Sequence, residues 1–244
     1  MICVSVLVPA FNEEKTILTV LRAIAEQCID GVEIELIVIN DASVDRTQHL
    51  IEEHPELYSK AISLDKNSGK GAAIIAGLTV ATGDYVLIQD ADLEYSPNEY
   101  HNLLMPIIDF EAELVIGSRF LAPTWTRVHY FWHKVGNYII TLTFNILNNS
   151  TFTDIYSGHI IFKRSLLSPE ELKCFKWNQQ AEILSKIYPR TKRTYELAIT
   201  YHGRTYAEGK KIRAHHALSV LWTIFYERFL RLIDSKTPAK FPLL

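Results

Sequence analysis

The chain is poor in cysteine: Cys3, Cys28 and Cys174 are the only three in 244 residues, an odd number with no C-x-x-C pair. That argues against a disulfide framework and a thiolate zinc site, and the thiols read as small core hydrophobes of a protein in a reducing, cytoplasmic compartment. A basic excess is also missing. The formal net charge is −3, so a general nucleic-acid binder is not expected. Long hydrophobic runs are missing too: the longest uncharged stretch, 135–153, contains Gly136 and four Asn, whereas a spanning helix needs about 20 mostly apolar residues. The opening "MICVSVLVPAFNEE" has no basic leader and its apolar run breaks at Pro9, which reads as a strand and not as a signal peptide. Nor is there a complete phosphate loop. Gly69-Lys70-Gly71 imitates its end, but G-x-x-x-x-G-K-[ST] would need Gly and Ser or Thr where Leu64 and Gly71 stand, so a nucleoside triphosphatase is not expected.

What is present is a 48% hydrophobic composition, enough for one sizeable core. Up to about residue 120, apolar β-rich runs at "VSVLVP", "IELIVIND", "YVLIQD" and "ELVIGSR", with a weaker "KAISLD", alternate with helical patterns near 13–28 and 71–81. Strands alternating with helices predict a doubly wound α/β fold with a mostly parallel sheet flanked by helices. In such a sheet the residues that follow the strands collect along one edge, where open α/β sheets bind ligands. Here they are Asn12-Glu13, Asp41, Asn67 with Lys70, the Asp90 group and Ser118-Arg119. Any one of these could be a helix cap or a turn; five on one edge predict a site.

The stretch "YVLIQDADLEYSP" at 85–97 carries Asp90, Asp92 and Glu94 at alternate positions. They would align on one face if the extended conformation continued past Asp92, and a divalent cation would then relieve their repulsion. All-oxygen ligands point to Mg²⁺ or Mn²⁺, ions that commonly bridge phosphate oxygens. A solvated turn before Pro97 is the plainer alternative. Lys70, at an expected helix start, could approach a nucleotide or face solvent.

Charge is unevenly spread. From His202 onward eight Lys or Arg stand against three acids, a local +5 that leaves −8 for the rest. In that segment Leu218, Leu221, Trp222, Phe225, Phe229 and Leu232 recur at helical spacing with Glu227, Arg228 and Arg231 among them, which predicts an amphipathic C-terminal helix, with His215-His216 near its start. Packing on the core and lying on an anionic membrane surface are both open to it. Trp125, Tyr130, Phe131 and Trp132 read first as core residues, or, beside Arg127 and His129, as the mouth of a lipid-phosphate site.

Taken in order, "VPAFNEE", "VINDASVDRT", "NSGKGAAIIAGLTVATGDYVLIQDADLEYSP", "IGSRF" and "YHGRTYAEGKKI" resemble the inverting nucleotide-sugar glycosyltransferases of the dolichyl-phosphate-mannose-synthase-like branch, over roughly residues 4–230. The resemblance implies a GT-A fold, with a catalytic domain over 1–213 (nucleotide half 1–120, acceptor half 121–213) and a C-terminal helix and tail over 214–244. It implies that Pro9, Ala10, Asn12 and Glu13 form the first nucleotide-binding loop, that Asp41 meets the base, and that Asp90 and Asp92 hold metal and nucleotide with Glu94 as a further ligand. Arg119, Arg127 and Arg204, helped by Lys211, would contact an acceptor phosphate. Asp154 with Ser157-Gly158 falls where relatives close around the donor sugar, and Glu182 where they carry an acid. "CFKWNQQAEIL" and "DIYSGHIIFKR" depart from the family's commoner forms.

The expected reaction moves a hexose-type sugar from a nucleotide diphosphate, UDP by preference, to a polyprenyl or dolichyl phosphate, peripherally at the cytoplasmic membrane face. A phosphate acceptor is already ionised and needs cationic positioning, whereas a sugar hydroxyl needs a general base. Asp154 or Glu182 would be that base; their plainer roles are a loop hydrogen-bonder and a surface helix residue. The alternatives are the same donor chemistry on a soluble or glycan hydroxyl, and a non-catalytic nucleotide-sugar-binding subunit of a membrane complex.

Overall fold

The computed structural model describes residues 1–121, 131–174, 178–203 and 216–233. Seven strands, β1 (Ile2–Ala10), β2 (Val32–Asn40), β3 (Lys60–Ser63), β4 (Tyr85–Ile88), β5 (Leu114–Ser118), β6 (Ile160–Lys163) and β7 (Thr194–Ala198), form one sheet in the order β3-β2-β1-β4-β6-β5-β7. Every pairing is parallel except those of β6, which runs antiparallel to β4 and β5. The five apolar runs read from the sequence are β1 to β5. Helices α1 (Ile17–Ala25), α2 (Thr47–Glu52), α3 (Lys70–Val80), α4 (Tyr100–Phe110), α5 (Phe131–Asn148), α6 (Gln179–Ile187) and α7 (His216–Ile233) cover the two faces.

The alternation of strand side chains divides the core into two layers. Val4, Val6, Val8, Leu87, Val115 and Ile161 face Ile17 and Leu21 of α1 and Tyr100, Leu103 and Ile107 of α4. Leu7, Val86, Ile88, Ile116 and Phe162 face Ile74 of α3, Phe144 of α5, Ile183 and Leu184 of α6 and Val220 and Ile224 of α7. At α3 the closeness of this packing depends on Gly77, where a Cβ would stand 2.9 Å from Ile39 Cδ1.

The antiparallel insertion of β6 has the largest consequence for the site. The parallel strands β1 to β5 deliver their following loops to the carboxyl edge of the sheet, and β6 brings its amino end, with residues 154–159 before it, to that same edge. Helix α7 covers His216–Ile233 and packs on the core by a face other than the aromatic stripe. Val220, Thr223, Ile224 and Glu227 are buried, whereas the aromatic stripe is turned outward, with Trp222 71% and Phe229 62% exposed. Of the stripe residues between 218 and 229, Leu221 is the one partly packed on the core. Glu227 can be on the inner side because Lys186 of α6 meets it at 3.0 Å. Phe131 and Trp132, read first as core residues, are exposed; Trp125 and Tyr130 lie outside the described residues.

Candidate active site

The loops after β1 and β2 brace one another. Asn12, in the left-handed region at φ 55 where Asn is tolerated, accepts through Oδ1 from Val44 N at 2.9 Å, while its own N–H donates to Ser43 Oγ at 3.0 Å. Glu13 N donates to Thr47 Oγ1 at 2.8 Å. Pro9 and Ala10 end β1 on this edge.

Asp41 is buried and accepts from Ser68 N at 2.7 Å and Gly69 N at 2.8 Å. It therefore fastens the loop ahead of α3, where Gly69 takes φ 94, a conformation with little penalty only for glycine. Lys70 is the first residue of α3 and pairs with Asp90. A helix start with its unpaired N–H groups, one lysine and one aspartate thus share a corner suited to a phosphate-bearing ligand.

The alignment expected of Asp90, Asp92 and Glu94 does not occur. β4 ends at Ile88 and Leu93 takes φ 61, so the chain turns where an extended run would have carried all three carboxylates to one face. The turn is held by Asp92 Oδ1 accepting from Glu94 N at 3.1 Å. Glu94 instead accepts from the Tyr201 hydroxyl at 2.6 Å, and its carbonyl accepts from His202 N at 3.0 Å. Among the described residues no three His, Cys, Asp or Glu gather tightly enough to cage an ion. An all-oxygen pair, Asp90 and Asp92, still fits Mg²⁺ or Mn²⁺ of the kind completed by water and phosphate oxygens, which takes one or two carboxylates.

Beneath this turn lies a buried group that the sequence reading missed. Gln89 Nε2 donates to the carbonyls of Asp90 and Tyr95, both at 3.0 Å, so one amide spans the turn. Its Oε1 accepts from the Tyr100 hydroxyl at 3.0 Å and lies 2.9 Å from His159 Nε2. With both amide hydrogens committed, this oxygen can only accept, so His159 carries its proton on Nε2 and presents a bare Nδ1 that has no hydrogen-bond partner. Burial holds the imidazole down to about 4. The adjacent Gly158 passes so close that a Cβ would stand 2.5 Å from the Tyr95 ring and 2.8 Å from Asp90 Oδ2. In sequence the only signals were an isolated Gln and His, neither of which has a characteristic spacing.

Arg119 and Asp154 meet in a two-pronged pair: Nε to Oδ2 at 2.7 Å and a terminal nitrogen to Oδ1 at 2.9 Å. The Arg119 N–H adds a bond to Oδ2 at 3.2 Å, and the guanidinium also donates to the Tyr156 carbonyl at 3.1 Å. Its carbon sits 5.1 Å from the Tyr201 ring centroid, within cation–π range. Although burial opposes its charge, Asp154 keeps the guanidinium's pKa above its ordinary value. Glu196 of β7 fixes the acid's backbone, accepting from Thr153 N and Asp154 N at about 2.9 Å.

Glu182 is not a surface helix residue. It is fully buried on α6, accepting from Lys173 N at 2.9 Å and Cys174 N at 2.8 Å, with Lys186 at 3.4 Å. Gln180, two residues earlier and so on the other side of the helix, reaches the site loop instead, donating to the carbonyls of Ile155 and Ser157. The structure thus brings Asp41, Lys70, Asp90, Asp92, Glu94, Arg119 and Asp154 to one edge and keeps Glu182 in the support behind it. Arg127, Arg204 and Lys211 lie outside the described residues.

A model of the family described as "Glycosyl transferase family 2" matches residues 5–168. The chain belongs to that family. As a family 2 glycosyl transferase it is similar to the undecaprenyl-phosphate 4-deoxy-4-formamido-L-arabinose transferase of Proteus mirabilis, 28% identical over 85% of this chain and 62% of that protein. It is also 28% identical, over 73% of this chain and 77% of the relative, to the UDP-N-acetylglucosamine–dolichyl-phosphate N-acetylglucosaminyltransferase of Methanococcus voltae. The chain spans about two fifths to three fifths of the length of several such relatives. Its fold is that of the glucosyl-3-phosphoglycerate synthase of Mycobacterium tuberculosis, solved with Mn²⁺, UDP and glucosyl-3-phosphoglycerate: the TM-score is 0.70 at 21% identity, over 93% of this chain and 80% of that one. The GT-A-like architecture expected from the sequence is therefore present.

Proposed function

We propose that this family 2 transferase is a metal-dependent inverting enzyme that moves a hexose-type sugar from a nucleotide diphosphate, UDP by preference, to a polyprenyl phosphate. The observation that carries the choice of acceptor is the state of the two candidate bases. Asp154 is saturated by Arg119 and by backbone donors, and Glu182 is buried under two backbone N–H groups and Lys186. A hydroxyl acceptor needs a carboxylate able to take its proton; an ionised lipid phosphate does not. The names of the Proteus and Methanococcus relatives, both acting on polyprenyl-type phosphates, support the same choice.

On the donor side, Asp41 shapes the loop that presents the start of α3, and Lys70 stands there to meet a diphosphate oxygen. Asp90 and Asp92 would hold Mg²⁺ or Mn²⁺, which when bound supplies further neutralisation of the leaving diphosphate. On the acceptor side Arg119, its charge offset by Asp154, and Arg127, Arg204 and Lys211 are the proposed phosphate contacts.

The test supplies purified protein and Mn²⁺ with labelled UDP-sugars and either polyprenyl phosphate or an oligosaccharide. Label is expected in the lipid, with Asp92→Ala abolishing turnover while the fold persists and Arg204→Ala raising the KM for acceptor more than for donor. Label in the oligosaccharide would overturn the acceptor assignment. Donor binding without any turnover would instead identify a binding subunit.

A further inference from the structure

We infer that Gln89 is a positioning residue for the reaction: its buried amide holds the turn at 90–95 in the shape that presents Asp90 and Asp92. The inference rests on the proposed metal-dependent reading of that turn. Gln89 is fully buried and so cannot meet a ligand itself; it acts through the turn. It is the first residue beyond β4, and its own N–H still donates to the Leu7 carbonyl of β1 at 3.0 Å. From this fixed base the side chain reaches forward. The two hydrogens of Nε2 go to the carbonyls of Asp90 and Tyr95, the residues that open and close the turn, so one amide sets the separation of its two ends.

The turn needs such a hold. Leu93 takes φ 61, a left-handed conformation that a leucine keeps only where its surroundings over-determine it. Inside the turn Asp92 Oδ1 accepts from Glu94 N, and from outside His202 N donates to the Glu94 carbonyl. Gln89 adds the two bonds at the ends. The amide is in turn anchored to three other elements. Its Oε1 accepts from the Tyr100 hydroxyl of α4 and from His159 Nε2, just ahead of β6. The His159 carbonyl accepts from Gly117 N of β5 at 3.0 Å, and its ring lies 4.9 Å from that of Tyr95, so the histidine also braces the far end of the turn.

A glutamine amide offers two donor hydrogens and an oxygen with two lone pairs, and all four are used here. A flipped amide would set its oxygen against two carbonyls, so its orientation is fixed. An apolar side chain of similar size would fill the same space with no polar group to satisfy. What the amide adds is the hold on the turn, since a fully satisfied buried network rigidifies and specifies one arrangement. An ion held by only two carboxylates depends on where each is placed, and groups that orient metal ligands change metal affinity about 10–100-fold when they are removed.

The test is calorimetry of UDP binding to the full chain with and without Mn²⁺, for wild type, Gln89→Met and Tyr100→Phe. Gln89→Met should lower the Mn²⁺-dependent affinity about 10–100-fold and leave the metal-free affinity within about twofold. In the metal-free protein its amides at 90–95 should exchange with solvent faster while those of β1 keep their protection. Tyr100→Phe removes one anchor of Oε1 and keeps both carbonyl bonds, so it should show a smaller loss that is again confined to the Mn²⁺ arm. Should Gln89→Met fail to fold, Tyr100→Phe decides by the same comparison. An unchanged Mn²⁺-dependent affinity, or equal losses with and without the ion, would overturn the inference, the second by showing a role in stability alone. Wild type that binds UDP equally well with and without Mn²⁺ would overturn the metal-dependent reading and this inference with it, whereas Mn²⁺-dependent wild type with an unaffected variant would overturn the inference only.

Discussion

The buried His159 makes the acid stability of the protein predictable. Its ordinary pKa of 6.5 falls to about 4 in the folded chain, primarily because burial disfavours the charged ring, with Asp90 opposing and Lys70 reinforcing the shift. Nε2–H is engaged by Gln89, so a proton could enter only at Nδ1, which has no acceptor facing it. The unfolded chain takes up this proton as pH falls below about 6.5, whereas the folded chain resists until about 4. The contribution is therefore complete above the unfolded pKa and is lost in the window between the two values. At about 1.4 kcal/mol per pH unit the loss is about 2 kcal/mol by pH 5 and about 3 kcal/mol by pH 4.

The assay is urea unfolding of wild type and His159→Gln at about pH 7.5, 6 and 5, with a chelator present so that no bound cation holds the turn. Gln can keep the donor to Gln89 but cannot titrate. The difference in stability between the two proteins should move by about 2 kcal/mol in favour of the variant between about pH 7.5 and 5. Because the other histidines are common to both proteins, their titration cancels. Parallel curves would refute the reasoning, since they would mean that His159 accepts a proton equally well in both states.

Two further outcomes concern the same edge. Asp154→Asn leaves the Arg119 guanidinium buried without its counter-charge and should cost about 3 kcal/mol or more; adding Arg119→Met should recover part of that loss in a double-mutant cycle followed by denaturant unfolding. Strict additivity would mean that the pair is not coupled. Gly158→Ala puts a methyl against Tyr95 and Asp90 Oδ2 and should cost about 1–3 kcal/mol, with weaker Mn²⁺-dependent nucleotide binding by calorimetry. Unchanged stability and binding would show that the loop relaxes freely at that point.

Strands β1 to β5 were legible because buried parallel strands are nearly continuous apolar runs, and the polar residue that ends each run is visible in the sequence. The edge position of Asp41, Asp90 and Arg119 followed from that pattern and from the fixed handedness of the crossovers. The turn at Leu93 was not legible, because a left-handed φ at leucine is a local cost that only surrounding contacts can sustain. Nor was the burial of Glu182: a carboxylate on a helix of mixed polarity reads as exposed until the backbone donors at 173 and 174 are seen folded over it.

By itself the sequence determined the alternation of strand and helix, the edge on which chemistry collects, and the family, since periodicity and ordered motifs are local properties of the chain. Tertiary structure alone decided which groups are partners. Antiparallel β6 delivers Asp154 to Arg119 and His159 to Gln89, across 35 and 70 residues of sequence. It also decided that α7 turns its aromatic row outward. A helix with apolar residues on more than one face can bury either, and the packing of Val220 and Ile224, with Lys186 available to pair Glu227, settled which face went in.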